Sequence, residues 1–310
     1  MSTVVPVLNI AQLNVRLEEV SRDLGVPIAR VRRMLCTLII SQMLPSAVAI
    51  KGGMGIKLRM GESGTRATAD LDVSTEQRGK DFEESFRERL AKGWGTVPAS
   101  KGSLRKSPTA PDRVAFTATL KKQRQHDPGL GMPGYVVHPY RLTLAFLGKD
   151  WAGVDVEVSD PEIEPHAHRR LDIDPELVEL GAFFGFGDLL PVELIDLEYQ
   201  IAQKIHAVTD PAYNRAHDLV DLQLLCSAGP DLSTVRAFCV RTFDFRRSQK
   251  WPPLPLREMD GWETQYGEAR KETLVRGETL ALPNIDATRE WLTKLIEDIQ
   301  KSPLGELDGR

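Results

Sequence analysis

The apolar positions of this chain change their spacing several times along its length. Over residues 10–25 and 27–44 they follow the helical period, with "LGVP" as the break between the two runs. "SAVAIKGG" then predicts a short buried strand ending in a glycine turn, and "TADLDVS" (68–74) a second strand. Residues 80–92 return to the helical period, with Phe82, Phe86 and Leu90 on one side. From 93 to 134 Gly, Pro, Ser and Lys dominate and periodicity fades, which predicts strands with long loops. Alternation of period two comes back at 140–160, in two runs about a "GKDWAG" turn (148–153), the pattern of a hairpin. "PEIEPHAHRRLDIDPE" (161–176) reads as a polar linker. Beyond it the clearest segments are helical: 194–208, 216–226, 232–243 and 288–300.

This order predicts an α/β fold, with a helical lead over 1–44, a mixed sheet core over 45–165 and a helical C-terminal domain over 185–305. A chain of 310 residues, 41% hydrophobic and 27% charged, has ample material for such a core. The net charge of −4 excludes a chain that binds polyanions through its overall charge. Between Arg87 and Arg124, however, ten Lys and Arg face only Glu88 and Asp112, a local excess suited to a polyanionic acceptor such as RNA. Cys36, Cys226 and Cys239 are odd in number, far apart and form no CxxC, which points to a reducing compartment and away from a zinc or disulfide framework. The longest apolar stretch, 34–50, is interrupted by Ser41, Gln42, Pro45 and Ser46, and the first residues lack a signal-peptide pattern. The expectation is a cytoplasmic protein with no membrane segment.

The chemistry concentrates in a few short stretches. On a strand Asp70 and Asp72 share a face, where two carboxylates repel unless a cation sits between them. Gly52 and Gly53 follow a buried strand, and without a Cβ they let backbone N–H groups approach a phosphate. Asp155 and Glu157 again share a face on a later strand, with Val154, Val156 and Val158 turned to the core. Alone, each is weak: a DxD is common at exposed strand ends, and a glycine pair is usually a turn. Together they form a seat for Mg²⁺ (or Mn²⁺) carrying a triphosphate.

Lys51-Gly52-Gly53, "RATADLD" (66–72), "VEVS" (156–159), "LEYQIAQKIHA" (197–207) and the spacing of Arg215, Asp218 and Asp221 occur in one order. From about residue 17 to 250 the chain resembles the nucleotidyltransferase superfamily, and within it the AbiEii/MenT-type toxin family. The resemblance implies a nucleotidyltransferase-like mixed sheet core with a helical C-terminal half. It implies a metal-dependent enzyme that transfers a nucleotide from an NTP, the toxin of an AbiE-like toxin–antitoxin system with a cognate antitoxin as partner. The implied acceptor is RNA, with the tRNA 3′ end indicated by the MenT group. Asp70 and Asp72 would hold the metal, with Glu157 preferred to Asp155 as the third carboxylate. Gly52, Gly53, Arg66 and Lys204 would meet the nucleotide phosphates. Asp218, also counted as catalytic, would with Asp221 position Lys204 or meet base and ribose, and Thr68 would be a site of regulatory phosphorylation. Met54 stands where the family often has Ser or Thr, which removes a hydroxyl contact but leaves the backbone cradle.

Two other functions compete. "LEEVSRDLGVPIARVRRML" (17–35) has the form of a helix-turn-helix, with Arg30, Arg32 and Arg33 on its second helix, as in a DNA-binding regulator. That reading leaves the carboxylates unexplained. A small-molecule, antibiotic-type nucleotidyltransferase would share the same metal site. "HAH" (166–168) has metal-like spacing but no third ligand, and reads as a solvated pair.

Overall fold

Asn9 and Gly25 bound the first helix, α1 (Ile10–Leu24): the Asn9 side chain accepts from the Gln12 amide, and Gly25 turns the chain at φ 66°. α2 (Ile28–Ser41) is buried along most of its length, Arg30 included, so it is built as a core helix rather than an exposed recognition helix. The computed structural model describes residues 6–77, 79–107, 109–124, 137–163, 167–186, 189–256, 259–275 and 277–307. After α2 come β1 (Val48–Ile50), α3 (Gly52–Met60), β2 (Leu71–Thr75), α4 (Gly79–Lys92), β3 (Trp94–Val97), α5 (Lys101–Lys106) and β4 (Arg113–Lys122). β5 (Val137–Phe146), β6 (Lys149–Ser159), β7 (His168–Leu171), α6 (Pro175–Phe184), β8 (Val192–Ile195) and α7 (Leu197–Thr209) follow. The chain closes with α8 (His217–Ser227), α9 (Leu232–Arg246), α10 (Trp262–Glu272) and α11 (Ile285–Lys301). No described helix is long and apolar enough to cross a membrane.

The strands form one mixed sheet in the order β3-β4-β5-β6-β2-β1-β8-β7. β3 to β6 are antiparallel neighbours, β2 runs parallel to β6, and β1 lies antiparallel to β2 and parallel to β8. Alternation splits the sheet into two unlike faces. Phe116 and Leu120 of β4, Tyr140, Leu142 and Leu144 of β5, Val154, Val156 and Val158 of β6, and Leu71 and Val73 of β2 are all buried, in one cluster with α1, α2, α4 and α6. A second cluster gathers α7 to α11 with Ala49 and Ile56. The candidate site opens where these two cores adjoin.

Several local expectations are corrected. The glycine pair does not end in a turn but opens α3, whose Met54, Ile56 and Leu58 are buried. The hairpin turns at Leu147 and Gly148, both at positive φ, rather than across 148–153; Asp150 already pairs with Ala145 and Trp151 packs on Phe116. Part of the 161–176 stretch is the edge strand β7, whose exposed arginines need no apolar alternation and protect the edge. The first residues of the 194–208 segment belong to β8, and α10 is a helix that the periodicity did not reveal. β2 starts at Leu71, so Asp70 stands just before the strand. Of the "HAH" pair, His166 lies outside the described residues, and His168 Nδ1 is 3.0 Å from a Glu193 oxygen.

The segment 61–70, which carries Arg66, Thr68 and Asp70, is tied down by buried charges. Glu62 accepts from Arg30 Nε at 2.5 Å and from Lys57 Nζ at 2.8 Å, and Arg30 also donates to the Thr65 carbonyl at 2.5 Å. Burial pushes the Lys57 ammonium down to about 8, against the opposing pull of Glu62. Removing the Glu62 charge would leave two buried cations short of their partner. Glu62→Gln is expected to lower stability by about 3–5 kcal/mol, read as a lower urea midpoint with an unchanged m-value.

Candidate active site

The glycine pair is required by what lies against it. Gly52 sits at φ 63°, and a Cβ there would stand 2.1 Å from Asp72 Oδ2. A Cβ on Gly53 would stand 2.8 Å from Thr68 Oγ1. The Lys51 amide donates to the Asp72 carbonyl at 2.9 Å, and Gln200 Nε2 to the Gly52 carbonyl at 2.8 Å, which fixes this corner from sheet and helix alike. The first helical bond of α3 runs from Gly55 N to Lys51 O, so the amides of Gly52, Gly53 and Met54 form its first turn. Such a turn offers N–H groups and a positive dipole end to a phosphate.

Asp72 and Glu157 are register partners on the parallel neighbours β2 and β6, half-buried on the same face. Asp70 is exposed at the mouth of β2; burial, then the charges of Asp72 and Asp155, raise its pKa, with Arg33 acting in the opposite sense. A divalent cation would reverse the like-charge part of that shift. Among the described residues no group of three or more His, Cys, Asp and Glu side chains is drawn together as a ready-made cage. The donor set still fits Mg²⁺, which is held by one or two carboxylates with waters and substrate phosphates rather than by an all-protein shell. Asp155 is occupied differently, taking Arg141 Nη1 at 2.6 Å on the exposed surface.

Lys204 is not a surface lysine. Its Nζ reaches Asp218 Oδ1 at 2.5 Å and Asp221 Oδ2 at 2.7 Å, with a side chain only 9% exposed. Arg66 clasps Asp221 through two bonds of 2.9 Å, and Arg215 Nε meets Asp218 Oδ2 at 2.6 Å. Burial alone would raise both aspartates, yet the cations outweigh it and hold their pKa values below the usual range. The i, i+3 pair on α8 thus positions Lys204 and anchors Arg66.

A cavity of about 320 Å³ joins these parts. Gly52, Asp72, Glu157, Lys204 and Asp218 line it; Gly53, Arg66, Thr68 and Asp70 lie outside its lining, Arg66 with Nη2 3.8 Å from Asp218 and Thr68 against Gly53. Two further lining groups, Glu162 and Arg246, had no sequence signal. Arg246 at the end of α9 clasps Glu162 with two bonds of 2.8 Å, and its Nη1 stands 3.4 Å from His206 Nδ1. His206 Nε2 lies 3.2 Å from Ser248 Oγ, which donates to Asp210 at 2.6 Å.

A glycine-opened helix, paired strand carboxylates and a buried lysine around one cavity can hold a triphosphate and a cation together. The family model described as "Nucleotidyl transferase AbiEii toxin, Type IV TA system" matches residues 33–298. The chain belongs to the AbiEii nucleotidyltransferase toxin family. Among solved structures, MenT4, a nucleotidyltransferase toxin from Mycobacterium tuberculosis H37Rv, is similar in fold: TM-score 0.56 and 16% identity over 96% of this chain and 91% of that one. A candidate nucleotidyltransferase from H. pylori covers 87% of this chain and 93% of its own at 12% identity, with a TM-score of 0.41 too low to carry further meaning. No curated protein matches. As a type IV toxin of the AbiEii family, the chain has an antitoxin as its implied partner.

In this AbiEii chain the basic stretch 87–124 does not form one patch. Lys122 pairs with Glu83 at 2.8 Å beside the Tyr140 ring, and Arg87 donates to the Leu120 carbonyl, both on the α4 side of the sheet. Arg89 lines a different cavity, whereas Lys121 pairs in register with Arg141 on the opposite, open face.

His206 gives the site region a pH signature. Burial first, then the Arg246 charge, press its pKa down to about 4, with Asp210 and Glu162 pulling upwards. Between about 4 and the ordinary value near 6.5 the unfolded chain binds a proton that the folded one does not. Stability should therefore fall as pH drops through this window. Thermal melts of wild type and His206→Gln should show a shallower pH 7 to pH 5 decline in the variant; equal declines would absolve His206.

Proposed function

We propose that this AbiEii-family nucleotidyltransferase transfers a nucleotidyl group from an NTP to the terminal hydroxyl of an RNA acceptor, the tRNA 3′ end, with Mg²⁺ or Mn²⁺ as cofactor and in the cytoplasm. The observation that carries this reading is the meeting of the α3 N-terminus, the Asp72/Glu157 pair and Lys204 around one cavity. In the reaction the acceptor oxygen forms a bond to the α-phosphorus while the bond to pyrophosphate breaks. When bound, the metal neutralises the triphosphate and lowers the pKa of the acceptor hydroxyl. Asp72 and Glu157 would hold it, with Asp70 at the strand mouth. Gly52 and Gly53 present backbone amides to the phosphates, and Lys204 adds a charge that Asp218 and Asp221 keep in place. Arg66, clasped to Asp221 and 3.8 Å from Asp218, is the cation that would reach the same phosphates from the edge of the cavity.

The direct experiment incubates the protein with labelled NTPs, Mg²⁺ and total RNA, in parallel with a panel of small hydroxyl compounds. Label should enter tRNA-sized RNA, and Asp72→Asn should abolish incorporation with little change in melting temperature, because removing one of two neighbouring like charges relieves repulsion. Transfer to a small molecule alone, or full activity in Asp72→Asn, would overturn the reading.

The same reading extends to Thr68. Its Oγ1 faces the Gly53 backbone, so a phosphate on it would bring about 1.5–2 negative charges to the start of α3. It would occupy the place of the incoming triphosphate and switch the enzyme off, the antitoxin acting as the source of the switch. Thr68→Glu should lose transfer and Thr68→Val should keep a measurable fraction; an active Thr68→Glu protein would end the idea.

A further inference from the structure

The sheet's two faces are used very differently beyond β6. On one side α4 packs through Phe82 and Phe86 against Tyr140 and the apolar cluster. On the other side the register aligns Thr119 with Thr143 and Gly153, and Lys121 with Arg141 and Asp155. All of these are half-buried or exposed. The first row is a floor with nothing larger than threonine. The second carries two cations and then an acid, next to the Glu157–Asp72 pair that lines the cavity.

Arg141 lies along this floor rather than out from it. A Cβ on Gly153 would stand 2.3 Å from Arg141 Nη2, so the missing side chain of Gly153 is what gives the guanidinium its bed. Its ion pair with Asp155 is open to solvent, with side chains 43% and 56% exposed, and so is weakly held and readily exchanged for another anion.

We propose that this open face of β4, β5 and β6 is the track of the RNA acceptor strand. Arg141 leaves Asp155 to grip a backbone phosphate next to the reacting end, and Lys121 takes one further out. The inference rests on the RNA reading above. Charge order supports it: cations lie at the far end, where phosphates pass, and carboxylates at the near end, where the terminal hydroxyl must react. The two rows hold hydroxyls and cations but no aromatic ring, so recognition is of phosphate and ribose rather than of stacked bases. The face is also continuous with the cavity through Glu157 and Val137.

Adjacent residues on opposite faces make the test. With deacylated tRNA as ligand, Arg141→Ala and Lys121→Ala should each weaken binding several-fold, while Lys122→Ala, on the α4 side, should not. For each of the first two, the slope of log K against log salt should become shallower by about 0.7. Thr143→Glu should weaken tRNA binding at least as much, with NTP binding and melting temperature unchanged in all four variants. Equal tRNA affinity for wild type, Arg141→Ala and Thr143→Glu would overturn the track and leave the RNA reading standing. Loss of antitoxin binding with tRNA affinity intact would assign the face to the protein partner and overturn it too. Wild-type protein that neither binds nor labels tRNA would instead overturn the RNA reading itself.

Discussion

Asp221 accepts hydrogen bonds from both Arg66 and Lys204, and much of the site's geometry depends on that shared carboxylate. Arg66 belongs to the segment that leads into β2, Lys204 to α7, and Asp221 with Asp218 to α8. Three separately built pieces therefore meet on one pair of acids. Burying such charges is a poor source of stability, since desolvation offsets most of the attraction. What it provides is selectivity among arrangements: any movement that separates a partner leaves a bare charge in the interior. The Glu62 cluster does the same for the other end of the segment, holding it to α2 and α3.

With that segment held, the division of charge becomes simple. The acids that face the cavity from the sheet are Asp72 and Glu157, on the central strands. The cations come from Lys51 and from the helical half, Lys204, Arg215 and Arg246. Arg215 bears on Asp218, whose other oxygen holds Lys204, and Arg246 bears on Glu162, so the cations stand fixed before any substrate arrives.

The sequence revealed the parts that follow a period. α1, α2, α4, α8, α9 and α11 all announce themselves through apolar spacing, and the strong alternation of Val154, Val156 and Val158 discloses β6. β7 escaped because an edge strand in solvent needs no apolar face. α3 escaped because its two opening glycines look like a turn and dilute its amphipathic pattern. Among site residues, those in short contiguous motifs were legible, from Gly52 to Asp72 and from Lys204 to Asp221. Glu162 and Arg246 were not, because their contact spans 84 positions and neither sits in a recognisable pattern. Composition also misled: Lys121 and Lys122 look like one basic patch, but neighbours on a strand point to opposite faces.

Gly52 carries a genetic consequence. The Asp72 carboxylate fills the space where any side chain at position 52 would begin, and the backbone there is left-handed. Every glycine codon begins with the same two bases, and a change in either replaces glycine with a residue bearing a side chain or stops translation. The codon thus has no gentle missense exit at those bases. In a cell that makes this toxin without its antitoxin, selection for growth should enrich lesions at this codon, the missense ones crowding the Asp72 carboxylate while the rest of the chain is still made.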